Sequence, residues 1–238
     1  MTDKRVIDSF ISKYHLGGTI ERIKWVSDGE SLKADFINDS QNLVGNIKVK
    51  DFKFPNGEFG IYSTSTLSKL LGILENEIMF QVEKNAKFII ADTNMDIKFN
   101  LADPQVIPNV PKINKTEGNI HIKVNEELTT RFIKSKDAVG EEVVYISTRD
   151  GFTSKEVLFN IGSSSSNSVS FATNVAEGSV EEDLDNIPFN ASIIKEIFKH
   201  NKNFEAGWVQ INPKGLISFT FKFGSLETSY YLVRNQNQ

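Results

Sequence analysis

Ala102-Asp-Pro-Gln-Val-Ile-Pro-Asn-Val-Pro-Lys-Ile-Asn-Lys-Thr-Glu-Gly118 decides how the chain is organised, because it holds three of the six prolines in 238 residues. Proline fixes φ and withholds an N–H, so this stretch reads as an extended connector. It divides the sequence into a first domain, 1–103, a connector, 104–118, and a second domain, 119–238.

The same order of elements stands on both sides. Val6, Ile7, Phe10, Ile11 and Tyr14 form the apolar stripe of a helix over 3–16, stopped by Gly17-Gly18. Strands follow at 20–26, 31–37, 43–49 and the Phe52/Phe54 segment, separated by turn residues. A second helix, 64–74, sets Leu67, Leu70, Leu71 and Leu74 on one face and leads into strands at 78–82, 87–91 and 95–101. Beyond the connector come a strand at 119–124, a helix at 125–138 with Leu128, Phe132 and Ile133, and strands at 142–147, 156–161 and 168–174. An acidic loop, 177–185, then precedes a helix at 191–201 and strands at 208–211, 216–221 and 228–233. The clearest echo sets 67–101 beside 193–233: a short helix feeding three strands, the last two joined by a tight hairpin. The expected fold class is α+β, a duplicated unit of helices and antiparallel sheet.

Composition excludes several classes of function. Cysteine is absent, which removes disulfides, thiolate metal sites and cysteine nucleophiles. With 39% hydrophobic residues the chain can bury a sizeable core. No apolar run approaches the roughly 20 residues of a membrane helix, and the start lacks a signal-peptide core, so a cytoplasmic protein is expected. A net charge of −4 argues against a uniformly basic surface, so contact with DNA requires basic residues sorted onto one face.

Catalytic patterns are missing. There is no Gly-x-x-x-x-Gly-Lys-Ser/Thr, Gly-x-Gly-x-x-Gly, His-Glu-x-x-His or Gly-x-Ser-x-Gly, and His15, His121 and His200 stand far apart. Glu181, Glu182, Asp183 and Asp185 lack the spacing of a calcium loop and read as a solvated loop. Ser163 to Ser166 have no activating base. Neither a catalytic residue, a metal nor a cofactor is expected.

The helices carry the remaining signal. Ser192, Lys195, Lys199 and Lys202 fall within an arc of about 80° opposite Ile193, Ile194, Ile197 and Phe198. The first helix groups Arg5, Ser9, Ser12 and Lys13 away from its stripe, the second offers Lys69 among Ser65, Thr66 and Ser68, and the third shows Arg131 and Lys134. Each face alone reads as solvated surface; four in one acidic chain equally suit phosphate-backbone contact. Lys48 and Lys50 alternate with Ile47 and Val49, which puts both on the exposed side of a strand. Val106, Ile107 and Val110 are apolar residues on the connector, suited to covering the domain junction or to docking a partner.

Gly57-Glu-Phe-Gly-Ile-Tyr, Leu67-Ser-Lys-Leu-Leu-Gly-Ile-Leu, Ile89-Ile-Ala-Asp-Thr and Ala102-Asp-Pro precede Lys155-Glu-Val-Leu-Phe-Asn, Phe189-Asn-Ala-Ser-Ile-Ile-Lys, Gly207-Trp-Val-Gln-Ile and Ser229-Tyr-Tyr-Leu-Val. In that order, over nearly the whole chain, they resemble the sliding clamps of T-even-type tailed bacteriophages, the processivity factors of DNA polymerase. The resemblance implies the DNA-clamp fold, with two similar domains, each of antiparallel sheet packed on two helices, assembling as a homotrimeric ring around duplex DNA in the infected host's cytoplasm. It implies no enzymatic activity. The inward residues would be Arg5, Lys13, Lys69, Arg131, Lys134, Lys195, Lys199 and Lys202. The implied partners are the replicative polymerase, the clamp loader and late-transcription factors, with docking at Val106, Ile107 and Val110. The subunit edges would be 95–101 of one copy and 168–174 of the next. From the residues alone a rival reading stands beside this one: a β-rich two-domain viral interaction protein that binds protein or glycan.

Overall fold

Short polar side chains start each helix. Asp3 accepts a hydrogen bond from Arg5 N at 2.9 Å ahead of α1 (Lys4–His15), and the helix ends at Leu16 in the left-handed region, φ 48°. Ser63 caps α2 (Thr64–Leu71), Asn125 caps α3 (Glu126–Val139), accepting from Leu128 N at 2.8 Å, and Asn190 caps α4 (Ala191–His200), accepting from Ile193 N at 2.9 Å. Such caps contribute about 1 kcal/mol each. The computed structural model describes residues 2–75, 77–84, 86–112, 120–152, 154–162, 165–176, 179 and 183–235.

The chain forms two compact units, Met1–Lys112 with Gly224–Thr228, and Ile113–Phe223 with Ser229–Gln238. The first holds β1 (Thr2–Asp3), β2 (Ile23–Ser27), β3 (Leu32–Ile37), β4 (Leu43–Val49), β5 (Gly57–Ile61), β6 (Glu77–Glu83), β7 (Lys87–Ala91) and β8 (Asp96–Asn100). The second half of the chain supplies β9 (Ile120–Lys123), β10 (Val143–Asp150), β11 (Lys155–Ile161), β12 (Val169–Asn174), β13 (Ile187–Asn190), β14 (Ala206–Asn212), β15 (Leu216–Phe223) and β16 (Leu226–Val233). Neighbouring strands run in the orders β1-β6-β7-β8 and β5-β2-β3-β4 in the first, and β9-β14-β15-β16 and β13-β10-β11-β12 in the second. Adding eight to each strand number of the first unit yields the second. The echo between 67–101 and 193–233 is the part of this repeat running from α2 to β8 and from α4 to β16.

Each unit is itself two copies of one strand–helix–three-strand motif. The copies exchange their first strands: β1 pairs with β6, and β5 with β2. In the second unit β9 pairs with β14, and β13 with β10. Neither motif completes its own sheet, so each unit folds as a whole.

Aromatic rings fill both cores. Trp25 of β2 is buried with its ring centroid 5.4 Å from Phe10, 5.8 Å from Phe54 and 6.0 Å from Phe88. Phe132 of α3 lies 5.5 Å from Phe198 of α4 and 6.0 Å from Phe159, which stacks on Phe171 at 5.3 Å. Burying such a ring contributes about 1.5–3 kcal/mol.

Three expectations are corrected. The Phe52/Phe54 segment is not a strand; its backbone is tied to the β2–β3 turn by Phe52 N to Glu30 O, 2.8 Å, and both rings go inward, while the strand is β5. A strand, β13, stands at Ile187–Asn190, where none was expected. It carries Pro188, tolerated because β13 is the last strand of its row. The connector opens with a 3-10 turn, Pro104–Val106, because Asp103 accepts from Gln105 N at 2.9 Å and proline suits a first helical position, before the chain becomes extended at Ile107. The rest of the connector from residue 113, like Glu181, Glu182, Ser163 and Ser164, lies outside the described residues.

Candidate functional site

The four helices carry nine Lys/Arg and five Asp/Glu, a net +4, whereas the whole chain is −4, so the rest of the sequence holds −8. The sorting is uneven. α1 and α2 have four cations against Asp8; α3 and α4 have five against Glu126, Glu127, Asp137 and Glu196.

Lys69 and Lys134 are exposed, and neither has a hydrogen bond or ion pair among the described residues. Arg5 is exposed and held by Asp3, its Nη2 2.8 Å from the carboxylate. Arg131 pairs with Glu127 one turn earlier, Lys199 with Glu196 at 3.2 Å, and Lys195 of α4 with Asp137 of α3, which raises the Lys195 pKa. Exposed pairs of this kind contribute little to stability and leave the cations exchangeable for phosphate. Lys202 is exposed but stands beyond the end of α4, so it is not part of that helix face; it borders a small pocket with Thr130 and Phe204.

Lys13 departs from its expected place. It is only 6% exposed, and burial pushes its pKa down to about 8. The helical arc places it with Arg5 and Ser9, but α1 packs against both α2 and β4, and a helical wheel contains neither. Lys136 of α3 is buried as well, and its Nζ lies 3.1 Å from Glu142 Oε1 and 3.2 Å from Gly140 O.

A carboxylate clasp holds each helix pair, and the sequence reading missed it. In the first unit Glu21 accepts from Ser65 N at 3.0 Å, from Ser65 Oγ, and meets His15 Nε2 at 2.9 Å; Thr64 N donates to Glu21 O at 3.0 Å. In the second, Glu142 accepts from Ser192 Oγ at 2.7 Å and from Lys136 Nζ, and Ala191 N donates to Glu142 O at 2.8 Å. Partial burial opposes ionisation of Glu21, but the hydrogen bonds from Ser65 and His15 outweigh it and hold its pKa below the usual value. Glu142 is lowered chiefly by the Ser192 hydroxyl, then by Lys136, against partial burial. The findable signal is a Glu just ahead of β2 and of β10, matched by a Ser in the first turn of α2 and of α4. This cluster is no nucleophile triad: Ser65 Oγ, 3.1 Å from His15, and Glu21 meet the same ring nitrogen, whereas a relay needs one on each.

The connector residues do not form one exposed row. Val106 is 58% exposed, Ile107 only 7%, and Val110 is half-buried. Ile107, Pro108 and Val110 form, with Val26, Lys33 and Ala34 of β2 and β3, a cleft of about 180 Å³. The connector's start is fastened to β5 by Ala102 N to Gly60 O, 2.8 Å; a Cβ on Gly60 would stand 2.5 Å from Ala102 O, so only glycine admits this approach.

In the second unit a groove of about 700 Å³ runs along β12, lined by Leu128 and Arg131 of α3, Phe171, and Trp208, which is 40% exposed. β12 is the last strand of its row, and β8 the last of its own. Of the acidic loop, Asp183 is held by Lys155 at 2.6 Å, which keeps its carboxyl below the usual range. No helix among the described residues is long and apolar enough to cross a membrane.

No family model and no curated protein sequence matches the chain. Solved structures do. A PCNA of A. fulgidus, solved with the C-terminal region of FEN-1 bound, has a TM-score of 0.78 and 13% identity, covering 100% of this chain and 98% of that one. The Proliferating Cellular Nuclear Antigen of Entamoeba histolytica has a TM-score of 0.73 and 17% identity, covering 98% and 94%. The chain therefore has the α+β, two-domain DNA-clamp fold.

Proposed function

We propose that the chain is a sliding clamp of the T-even phage type, a ring of three copies that encircles duplex DNA without sequence preference and tethers the replicative polymerase. It would act in the cytoplasm of the infected host and catalyse nothing. The observation that carries this reading is the charge sorting, +4 on the helices of an acidic chain, in a fold shared over its whole length with PCNA. Lys69, Lys134, Arg5, Arg131, Lys195 and Lys199 supply weak phosphate contacts, Lys202 adds to them from the turn after α4, and weak contacts permit sliding. Lys13, being buried, is left out of this set.

Ring closure adds β8 of one copy to β12 of the next, which removes two bare edges and covers Trp208. With domains at 1–103 and 119–238, the connector 104–118 would be the part that docks partners. That A. fulgidus PCNA was solved with the C-terminal region of FEN-1 supports a similar use here, by a polymerase, clamp loader or late-transcription factor. Val106 and Val110 would meet the partner while Ile107 anchors the connector.

The test is topological. Protein loaded onto a nicked circular plasmid is passed through a sizing column at about 0.5 M salt, where exposed phosphate contacts are largely screened. Retention on the circle, loss on linearisation and a solution mass of three copies are expected. Equal behaviour on circle and line overturns the reading.

A further inference from the structure

The connector cleft borders a positive charge that its neighbours leave unanswered. Lys33 of β3 and Lys48 of β4 are direct cross-strand partners, both exposed, and neither has an ion pair or hydrogen bond among the described residues. Like charges placed opposite one another on a sheet are unfavourable. The adjacent lysine is treated differently, since Lys24 Nζ lies 3.2 Å from Glu58. Lys33 also lines the cleft formed with Ile107, Pro108 and Val110. At about 180 Å³ that cleft is smaller than the roughly 300–1,000 Å³ of a small-molecule pocket and suits one side chain.

We propose that this cleft takes an acidic peptide: an extended partner segment with one apolar side chain beside Ile107 and Val110, and an Asp or Glu carboxylate on Lys33 and Lys48. The proposal rests on the docking role given to the connector and adds what chemistry the partner must bring. Charge decides against nucleic acid here, because Asp35, two positions along β3 from Lys33, lines the same cleft, and Glu58 stands opposite Val26 on the far side of β2, so a polyanion's successive phosphates would meet both. A single carboxylate needs only the Lys33 and Lys48 pair. Charge-assisted contacts of this kind carry specificity and salt dependence.

The experiment selects a displayed library of random nine-residue peptides on the full chain and measures the recovered peptides by fluorescence anisotropy. Recovered sequences are expected to place Asp or Glu within two positions of a large apolar residue. They should bind the Lys33→Glu/Lys48→Glu variant at least about tenfold more weakly, with unchanged melting, and exchanging the peptide's acid for Lys should restore binding to that variant. Recovered peptides without acidic bias, or with equal affinity for the variant, overturn the proposal, as does displacement by a short DNA duplex. Loss of binding in Val110→Ser with none in the lysine variant overturns the acidic partner while leaving connector docking in place. No effect of either variant, or no peptide recovered, overturns both.

Discussion

Glu21 in the first unit and Glu142 in the second occupy matching places, each joining the first helix of its pair to a serine in the first turn of the next, yet their surroundings differ. Glu21 meets the His15 ring and has a side chain 37% exposed; Glu142 meets the Lys136 ammonium and is 68% exposed. The first clasp also gathers a backbone N–H, from Ser65, which the second lacks among the described bonds. The fold thus asks for an anion at this corner and a donor on the facing helix, and accepts either an imidazole or an ammonium beside it.

The largest expected effect separates the two clasps. Glu21→Ala should cost about 2–3 kcal/mol, because it strands three donors that are partly removed from water. Glu142→Ala, being mostly exposed and screened, should cost about 0.5–1 kcal/mol. Urea unfolding measures both, and equal losses would break the comparison.

The two buried lysines sharpen it. Lys13→Met should remove the dependence of stability on pH that burial of the Lys13 charge produces. Lys136→Met, which removes Glu142's cation, should destabilise. The Lys13 pKa falls from 10.5 to about 8, so the unfolded chain binds more protons between those values and stability should rise with pH across that window. Melting from pH 7 to about 10.5 should show that rise in the parent and not in Lys13→Met.

A smaller effect lies on the acid side. Glu21 and Glu142 both have lowered pKa values, so their contribution is present above the ordinary value of 4.5 and lost as pH falls through the lowered ones. Glu21→Gln should flatten the acid limb of the stability profile more than Glu142→Gln.

The smallest change in stability comes from the exposed cations, where function should still suffer. Lys69→Glu and Lys134→Glu should each shift stability by only tenths of a kcal/mol while lowering the salt slope of DNA binding by about one unit. Lys13→Met should leave that slope unchanged. A DNA slope that responds to Lys13 but not to Lys69 would reverse the assignment of the first unit's basic face.

The helices and most strands were legible because their signals are short-ranged. Leu67 and Leu71 repeat at helical spacing, and Ile23, Trp25 and Ser27 alternate inward as a strand requires. Phe52 and Phe54 alternate equally well, yet they are a loop, because two rings seeking one aromatic core produce the same period as a strand. Lys13 misled for a related reason: a helical arc records direction around one axis and omits the neighbour that covers it. Val106, Ile107 and Val110 were legible as an apolar connector and not as three different exposures, which depend on β2 and β3 beneath them.

The sequence by itself determined the two-part organisation, the positions of the helices and the absence of cysteine chemistry, since composition and periodicity are properties of neighbouring residues. Only the tertiary structure decided that β1 joins β6 and β5 joins β2, that Glu21 meets Ser65 across 44 residues and Glu142 meets Ser192 across 50, and that Lys33 stands opposite Lys48. These pairings join segments whose local patterns are indifferent to one another. They are selected by the packing of a whole unit, where exchanged strands and buried rings leave one arrangement with its backbone bonds satisfied.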